Sequence, residues 1–499
     1  MRIALVPLDE RPVNTELPRQ VAAIAGVELL LPPADAMPSF RTAADTAAIA
    51  DWLRGVAGDV DHVVACIDTV VYGGIIPARI TGDDPAESLR RLAVFRELAM
   101  RPDLRIAAAA LVMRASDSYS NLEEPEYWDR HGRDIHALGG RLHRALIADA
   151  VGQQPDDAPE TTVPDTIRGD FQRRRLRNHL VNLAALGLYE EGVLDALTLT
   201  ADDTAEHSAG SAEQLWLRHW MRALPHANGV LMYPGADEVG AVLVARALCS
   251  GLPGPRWRVV CAEPDGLERV PKYENLPVQD SLARQLQAAG GRVASADERA
   301  DLTLVVHAPD PARGDCFDAV PESDPAATAA TAAAVESALD TGAVVALADI
   351  RFTNGADPAL VDLLAERGLL LRLSAYAGWN TAGNSIGSAV ATASAVWAGG
   401  QRGTLDTDAV ERALLTRVLD DRVYQSGVRV ALHGIPYPER SGLLEPDAQA
   451  SAEARIRREL QHHLDTAFPG ATDWTVARVT LPWRRRFEIG VDLVRSAAG

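Results

Sequence analysis

The stretch LTLTADDTAEHSAG, residues 197–210, ends an alternating apolar run on two adjacent carboxylates, Asp202 and Asp203. Side by side in a partly buried place, two carboxylates cannot both ionise freely. One is held protonated near neutral pH while the other stays charged. That is what general acid catalysis needs at a bond whose leaving group must take up a proton. A second acidic pair, Asp237 and Glu238, closes the next apolar run, GVLMYPGADE, residues 229–238. With Asp203 as acid and Asp237 or Glu238 as nucleophile or base, the set has the composition of a glycosidase site. A carboxyl separation of about 5–5.5 Å gives retention and one of about 6.5–9.5 Å gives inversion. Spacing along the chain does not choose between them. Asp202, Asp203, Asp237 and Glu238 are the candidate catalytic residues.

Other apolar runs end in the same manner. PLDERPVN supplies Asp9, Glu10, Arg11 and Asn14. DTVVYGG supplies Asp68, Tyr72 and two glycines, and MRASDSY supplies Arg114 and Ser116. Asp349 is followed by Asn354 in RFTNGAD, and AYAGWNTAGNSIG supplies Tyr376, Trp379, Asn380 and Asn384. Each has a plain explanation when taken alone. An Asp after a strand is often a helix N-cap, TNGAD reads as a turn, and Gly73 and Gly74 permit positive φ. Gathered on one rim, acids, amides and aromatic rings suit a polyhydroxylated ligand, because an aromatic face stacks on a sugar ring while polar groups meet its hydroxyls. Asp9, Arg11, Asp68, Tyr72, Arg114, Asn354, Tyr376, Trp379, Asn380 and Asn384 are the candidate substrate-binding residues.

Such a rim needs a scaffold. Eight short apolar runs lie at 3–8, 62–68, 105–114, 196–203, 229–238, 302–309, 343–350 and 370–380, with Ala/Leu/Arg-rich helical segments between them. Near-continuous apolar strands alternating with helices predict a parallel sheet covered on both faces. Eight such units close a (β/α)8-type barrel, regular or distorted, whose sites lie at the carboxyl ends of the strands. A doubly wound parallel sheet is the alternative. Runs at 27–32 and 257–264 complicate the count. Residues 1–400 are expected to form the (β/α)8-like domain, with insertions at 118–192 and 257–295. Residues 401–499 are expected to form a C-terminal α+β region. The insertion at 118–192 contains Tyr127 and Trp128, read as a lid, a Pro/Asp-rich stretch at 154–165, and the basic segment RGDFQRRRLRNHL, read as a solvated helix face.

Composition narrows the partners. The chain has 499 residues, 47% of them hydrophobic, and a formal net charge of -20. A core of that size is easily filled. So much negative charge disfavours nucleic acid and anionic membranes and favours a neutral or cationic small molecule. Arginine supplies nearly all the positive charge. Cys66, Cys249, Cys261 and Cys316 show no CxxC spacing and read as free thiols. The opening MRIALVPLDERP has too short an apolar run for a signal peptide. No apolar run approaches the ~20 residues that span a bilayer, so a cytoplasmic location is expected. The sequence does not set the oligomeric state, and a homo-oligomer stays open.

PLDERPVN, DTVVYGG, YPGADEVG and YAGWNTAGNSIG resemble a bacterial family catalogued as domain of unknown function 4127, from residue 1 to about 400. The resemblance brings no activity with it. A more distant, mechanistic similarity is to hexosaminidases of the O-GlcNAcase and hyaluronidase type. These are (β/α)8 barrels with paired acids at the end of the fourth strand. The similarity implies that Asp202 orients a substrate acetamide and that Asp203 protonates the leaving oxygen. The expected function is therefore an exo-acting glycoside hydrolase on an N-acetylhexosaminide, with no cofactor and no metal. One alternative is a metal-dependent hydrolase or isomerase with Asp9, Asp68, Asp202, Asp237 and His207 as ligands. Another is a non-catalytic sugar-binding protein.

Overall fold

The protein is described by a computed structural model covering residues 1–153, 161–317, 319–432, 443–468, 470, 471 and 473–495. Residues 154–160 of the Pro/Asp-rich stretch lie outside the described residues. The chain divides into two compact units, each built from separate stretches. Unit 1 comprises Met1–Glu10, Leu29–Gly240 and Tyr273–Leu276. Unit 2 comprises Arg11–Glu28, Ala241–Lys272 and Pro277–Gly499.

Unit 1 is organised by a six-stranded sheet of β1 (Arg2–Val6), β2 (Glu28–Leu30), β3 (His62–Cys66), β4 (Arg105–Val112), β5 (Ala196–Ala201) and β6 (Leu231–Pro234), in the order β2-β1-β3-β4-β5-β6. From β1 to β6 every neighbouring pair is parallel, with Ala4 opposite Val63, Ala65 opposite Ala108, Ala110 opposite Leu199, and Leu199 opposite Met232. These strands are buried on both faces, which is why they read as continuous apolar runs. Alternate residues, among them Val6, Ala65, Ala108 and Leu199, join one core with Leu53, Phe95, Ala185 and Leu217 of the helices. Local signals start those helices. The Asp45 carboxylate accepts from Ala47 N and Ala48 N at the head of Thr46–Val56, and Ser208 caps Ala209–Ala223.

Unit 2 holds a five-stranded parallel sheet of β7 (Arg256–Cys261), β8 (Arg292–Val293), β9 (Leu302–His307), β10 (Val344–Asp349) and β11 (Ala375–Ala377), in the order β11-β10-β9-β7-β8. The helix Ala382–Arg402 is buried from Ala382 through Gly399. Its Ala, Gly, Ser and Thr residues let neighbouring backbones come close. The helix Pro12–Ile24 packs beside it, and its end is tied down where Asp406 N donates to Ile24 O at 3.0 Å. An antiparallel pair, β12 (Trp474–Thr480) and β13 (Gly490–Arg495), shares a core with the helix Pro446–Ala467 through Trp474, Val476, Ile456 and Leu460.

The α/β class and the strand-helix alternation agree with the sequence reading, but the described strands form no eight-stranded ring. Five of the eight expected strands belong to the six-stranded sheet and three to the five-stranded one, and the two extra runs are β2 and β7. Alternation is common to rings and open sheets, so it could not separate them. The six-stranded sheet has an open order in which β1 lies between β2 and β3. In such sheets, ligands bind outside the carboxyl ends, where the order reverses.

Candidate active site

At that reversal, β1 leads into Asp9 and β3 into Asp68, which are 1% and 5% exposed. The Thr69 hydroxyl donates to Leu8 O at 2.8 Å and pins the two strand ends together. The turn that follows requires its glycines. Gly73 has φ +82, and a Cβ there would lie 2.6 Å from Ala44 N. Leu111 N donates to Asp68 Oδ2 at 3.0 Å. Burial nevertheless pushes the Asp68 carboxyl up to about 7, with the nearby Asp202 charge adding to the rise. The Cys66 thiol shows how tightly the acids converge. Burial raises it well above the usual range, and Asp68, Asp9, Glu238 and Asp237 all add to the rise.

The two aspartates at the end of β5 are hydrogen-bonded to different guanidiniums. Arg79, 3% exposed, donates to Asp202 Oδ2 and lies 3.1 Å from Glu123. Arg114 donates to Asp203 at 2.9 Å, to Glu123 at 2.9 Å and to Glu124 at 3.0 Å. Two guanidiniums thus bind four carboxylates, and each aspartate has its own cation. Burial pushes Asp203 up to about 6 against the pull of Arg114, with the Asp202 charge contributing. Its side chain stays 34% exposed and can meet a ligand, whereas that of Asp202 is 9% exposed.

At the end of β6, Asp237 and Glu238 are 5% and 0% exposed. Ala236 N donates to Glu238 Oε2 at 3.0 Å. Glu238 Oε1 and the Tyr233 hydroxyl are buried with no hydrogen-bond partner among the described residues. Burial pushes Glu238 up to about 8, helped by the charges of Asp237 and Glu274. Glu274 arrives on the short segment Tyr273–Leu276, held where Thr204 N donates to Tyr273 O at 2.8 Å and Asn275 Nδ2 donates to Ser211 Oγ at 3.0 Å. Gly235, at φ +139, is what lets Glu238 fold back: a Cβ there would lie 2.4 Å from Oε1.

Asp9, Asp68, Tyr72, Arg114, Asp202, Asp203, Asp237 and Glu238 are therefore brought together in unit 1. Arg11, Asn354, Tyr376, Trp379, Asn380 and Asn384 belong to unit 2. Tyr376 and Trp379 are 2% and 3% exposed and offer no open face for a sugar. The Tyr376 hydroxyl donates to Asp349 Oδ2 at 3.2 Å, and Trp379 Nε1 donates to Ser388 Oγ at 3.3 Å. They stand in a closed network. His307 Nε2 lies 3.0 Å from Asp357, and Gly378 N donates to Asp421 at 2.7 Å. Burial raises Asp349 to about 6 and Asp421 to about 8.

Sequence reasoning missed several of these groups. Arg79, Glu123 and Glu124 carry the unit 1 network, and Asp420–Asp421 sit in a π-helical segment, Leu419–Val428, a form often found at functional sites. An adjacent acid pair inside the apolar run LLTRVLDDRVY was the available signal. The basic segment is a solvated face only in part: Arg168, exposed, pairs with Asp165, and Arg173 is exposed. Arg175 and Arg177 are 3% and 2% exposed, and Arg177 donates to Thr81 O at 2.8 Å while covering the Tyr72 ring. Trp128 is no lid; it is fully buried in a small core with Ile135, Val163 and Phe171. Tyr127 donates to Asp170 at 3.0 Å.

The four cysteines are free thiols. Among the described residues, no group of three or more His, Cys, Asp or Glu is placed to hold a metal ion. No described helix is long and apolar enough to cross a membrane. Neither a curated protein nor a solved structure matches the chain. A family model described as a protein of unknown function (DUF4127) matches residues 3–492, and the chain belongs to that family.

Proposed function

We propose that the carboxyl edge of the unit 1 sheet is the active site of a glycoside hydrolase acting from the chain end on a neutral, polyhydroxylated amino-sugar glycoside. The observation that carries this reading is the division of labour among the acids. Asp203, raised to about 6 and 34% exposed, sits beside Asp202, which is tied to the Arg79 guanidinium. Carboxyls whose environments differ in this way take different roles in acid–base chemistry. Asp203 gives its proton to the leaving oxygen. Asp202, oriented by Arg79, faces the positive charge that develops on the sugar or positions its acetamide. Asp237 is the alternate nucleophile or base, because Glu238, fully buried and raised to about 8, keeps its proton near neutral pH. Arg79 and Arg114 are occupied by carboxylates, which favours a substrate without negative charge.

The test is hydrolysis of nitrophenyl N-acetylglucosaminide and N-acetylgalactosaminide by the wild type, Asp202→Asn and Asp203→Asn, each with and without EDTA. EDTA-insensitive turnover that falls by about 10²-fold or more in either variant is expected. The rate should decline as pH rises through about 6, where Asp203 gives up its proton. Turnover abolished by EDTA and restored by a metal would replace this reading with the metal-dependent one. Absence of turnover on every sugar would refute it.

A further inference from the structure

Unit 2 carries chemistry that this reading does not use. Near its C-terminus, residues 482–488, PWRRRFE, set cations and rings in alternation. The Arg11 guanidinium lies 4.5 Å from the Trp483 ring centroid. Arg485 lies 4.4 Å from Trp483 and 5.1 Å from Phe487. Arg429 lies 5.9 Å from Phe487 and 5.6 Å from Phe317. Arg11 and Arg485 share Glu488, at 3.2 and 2.7 Å.

Arg429 is differently placed. It is 2% exposed, and its Nη2 donates to Cys316 O at 3.0 Å and Asn354 O at 2.8 Å. Its Nε and Nη1 are buried with no hydrogen-bond partner among the described residues. The acids whose charge reaches it are engaged elsewhere, Asp315 with Lys272 and Asn354, and Asp420 with Arg417 and Gln425. A buried guanidinium with unmet donors is among the costlier features a fold can keep. The surrounding backbone is strained as well. Asn354 and Asn380, joined by a 2.7 Å bond from Asn354 N to Asn380 O, have φ +61 and +51. The consecutive Trp483 and Arg484 have φ +54 and +53. Such conformations persist only where the surroundings enforce them, and they cluster at sites of function.

We propose that Arg429 anchors a site for the oxyanion of a small ligand, a carboxylate or a phosphate, which accepts hydrogen bonds from Nε and Nη1. Phe317, 45% exposed, lies against the guanidinium and is the ring that an entering anion displaces. A charge-assisted hydrogen bond to an oxyanion satisfies donors that no described residue meets.

The test is thermal unfolding of the full chain in chloride, inorganic phosphate and succinate at equal ionic strength and pH. A saturable rise in melting temperature with phosphate, succinate or both is expected, and it should vanish in Arg429→Met. A rise with phosphate alone assigns a phosphoryl ligand, and one with succinate alone a carboxylate. No saturable rise with either anion, or an equal rise in Arg429→Met, overturns the proposal. If Arg429→Met does not fold, Phe317→Glu decides. A carboxylate supplied beside the guanidinium should raise the melting temperature in chloride and abolish the anion response. A wild-type response in that variant also overturns the proposal.

Discussion

The two parallel sheets of this protein gather acids at the carboxyl ends of their strands, and they treat them differently. In unit 1, Arg79 and Arg114 divide Asp202, Asp203, Glu123 and Glu124 between them, and the Asp203 side chain keeps 34% exposure. In unit 2, His307, Asp349, Asp357 and Asp421 are all 0% exposed; His307 pairs with Asp357, Arg417 lies 3.6 Å from Asp421, and the other partners include Thr331, Thr328, Ser323, Tyr376 and backbone amides. Buried carboxylates thus give one edge that, in the proposed function, passes a proton to a ligand, and one fully buried network, to which Asp357 comes from a helix N-cap and Asp421 from the π-helical segment. Exposure decides which, because proton transfer needs contact with the reacting atom.

The contrast is best broken at its cations. Arg79→Met leaves Asp202 buried without its guanidinium. Chemical denaturation should show a loss of about 3–5 kcal/mol, the usual cost of removing one partner of a buried pair. An effect near zero would mean that Asp202 is not held as described. Next in size is Asp203→Asn, which should lower any glycosidase rate by about 10²-fold and leave the melting temperature nearly unchanged. Gly235→Ala should cost about 1–3 kcal/mol, because it forces a side chain into a left-handed backbone and against Glu238.

A pH series tests the shared feature. Asp68, Glu238 and Asp421 are pushed up to about 7, 8 and 8, and Asp349 to about 6. A carboxyl that holds its proton more tightly when folded stabilises the fold fully below its unfolded value. It loses that contribution as pH rises through the folded value. The melting temperature should therefore fall steadily from about pH 4 to about pH 8. Asp421→Asn should flatten the upper part of the fall, since an amide has no proton to lose. A melting temperature that rises across the window would contradict the burial of these groups. The smallest effect is expected far from both edges. Arg96→Ala breaks an exposed pair with Glu191 and should cost less than about 0.5 kcal/mol.

Much of this organisation was legible in the sequence. The apolar runs marked ten strands, most of them buried, since buried parallel strands leave uninterrupted apolar stretches. The acids at Asp9, Asp68, Asp202, Asp203, Asp237 and Glu238 were visible because each directly follows such a run. The sheet order was not legible. AYAGWN begins with a strand of only three residues, Ala375–Ala377, and nothing in its spacing says that it pairs with β10 and not with β1. The partners of the acids were equally hidden. Arg79 lies within IIPARI and Glu123 and Glu124 within NLEEPEY, neither of which is periodic in a way that reports a contact across 44 residues of chain. Arg177 looked solvated because its helix is basic, yet long-range burial overrides local composition.

The most direct test of the central claim, that chemistry belongs to the unit 1 edge, is a side-by-side rate measurement on nitrophenyl N-acetylhexosaminides for Asp203→Asn and Asp421→Asn. A fall of about 10²-fold in the first and a rate near wild type in the second is predicted. Loss in Asp421→Asn with full activity in Asp203→Asn would contradict the account and move the chemistry to unit 2.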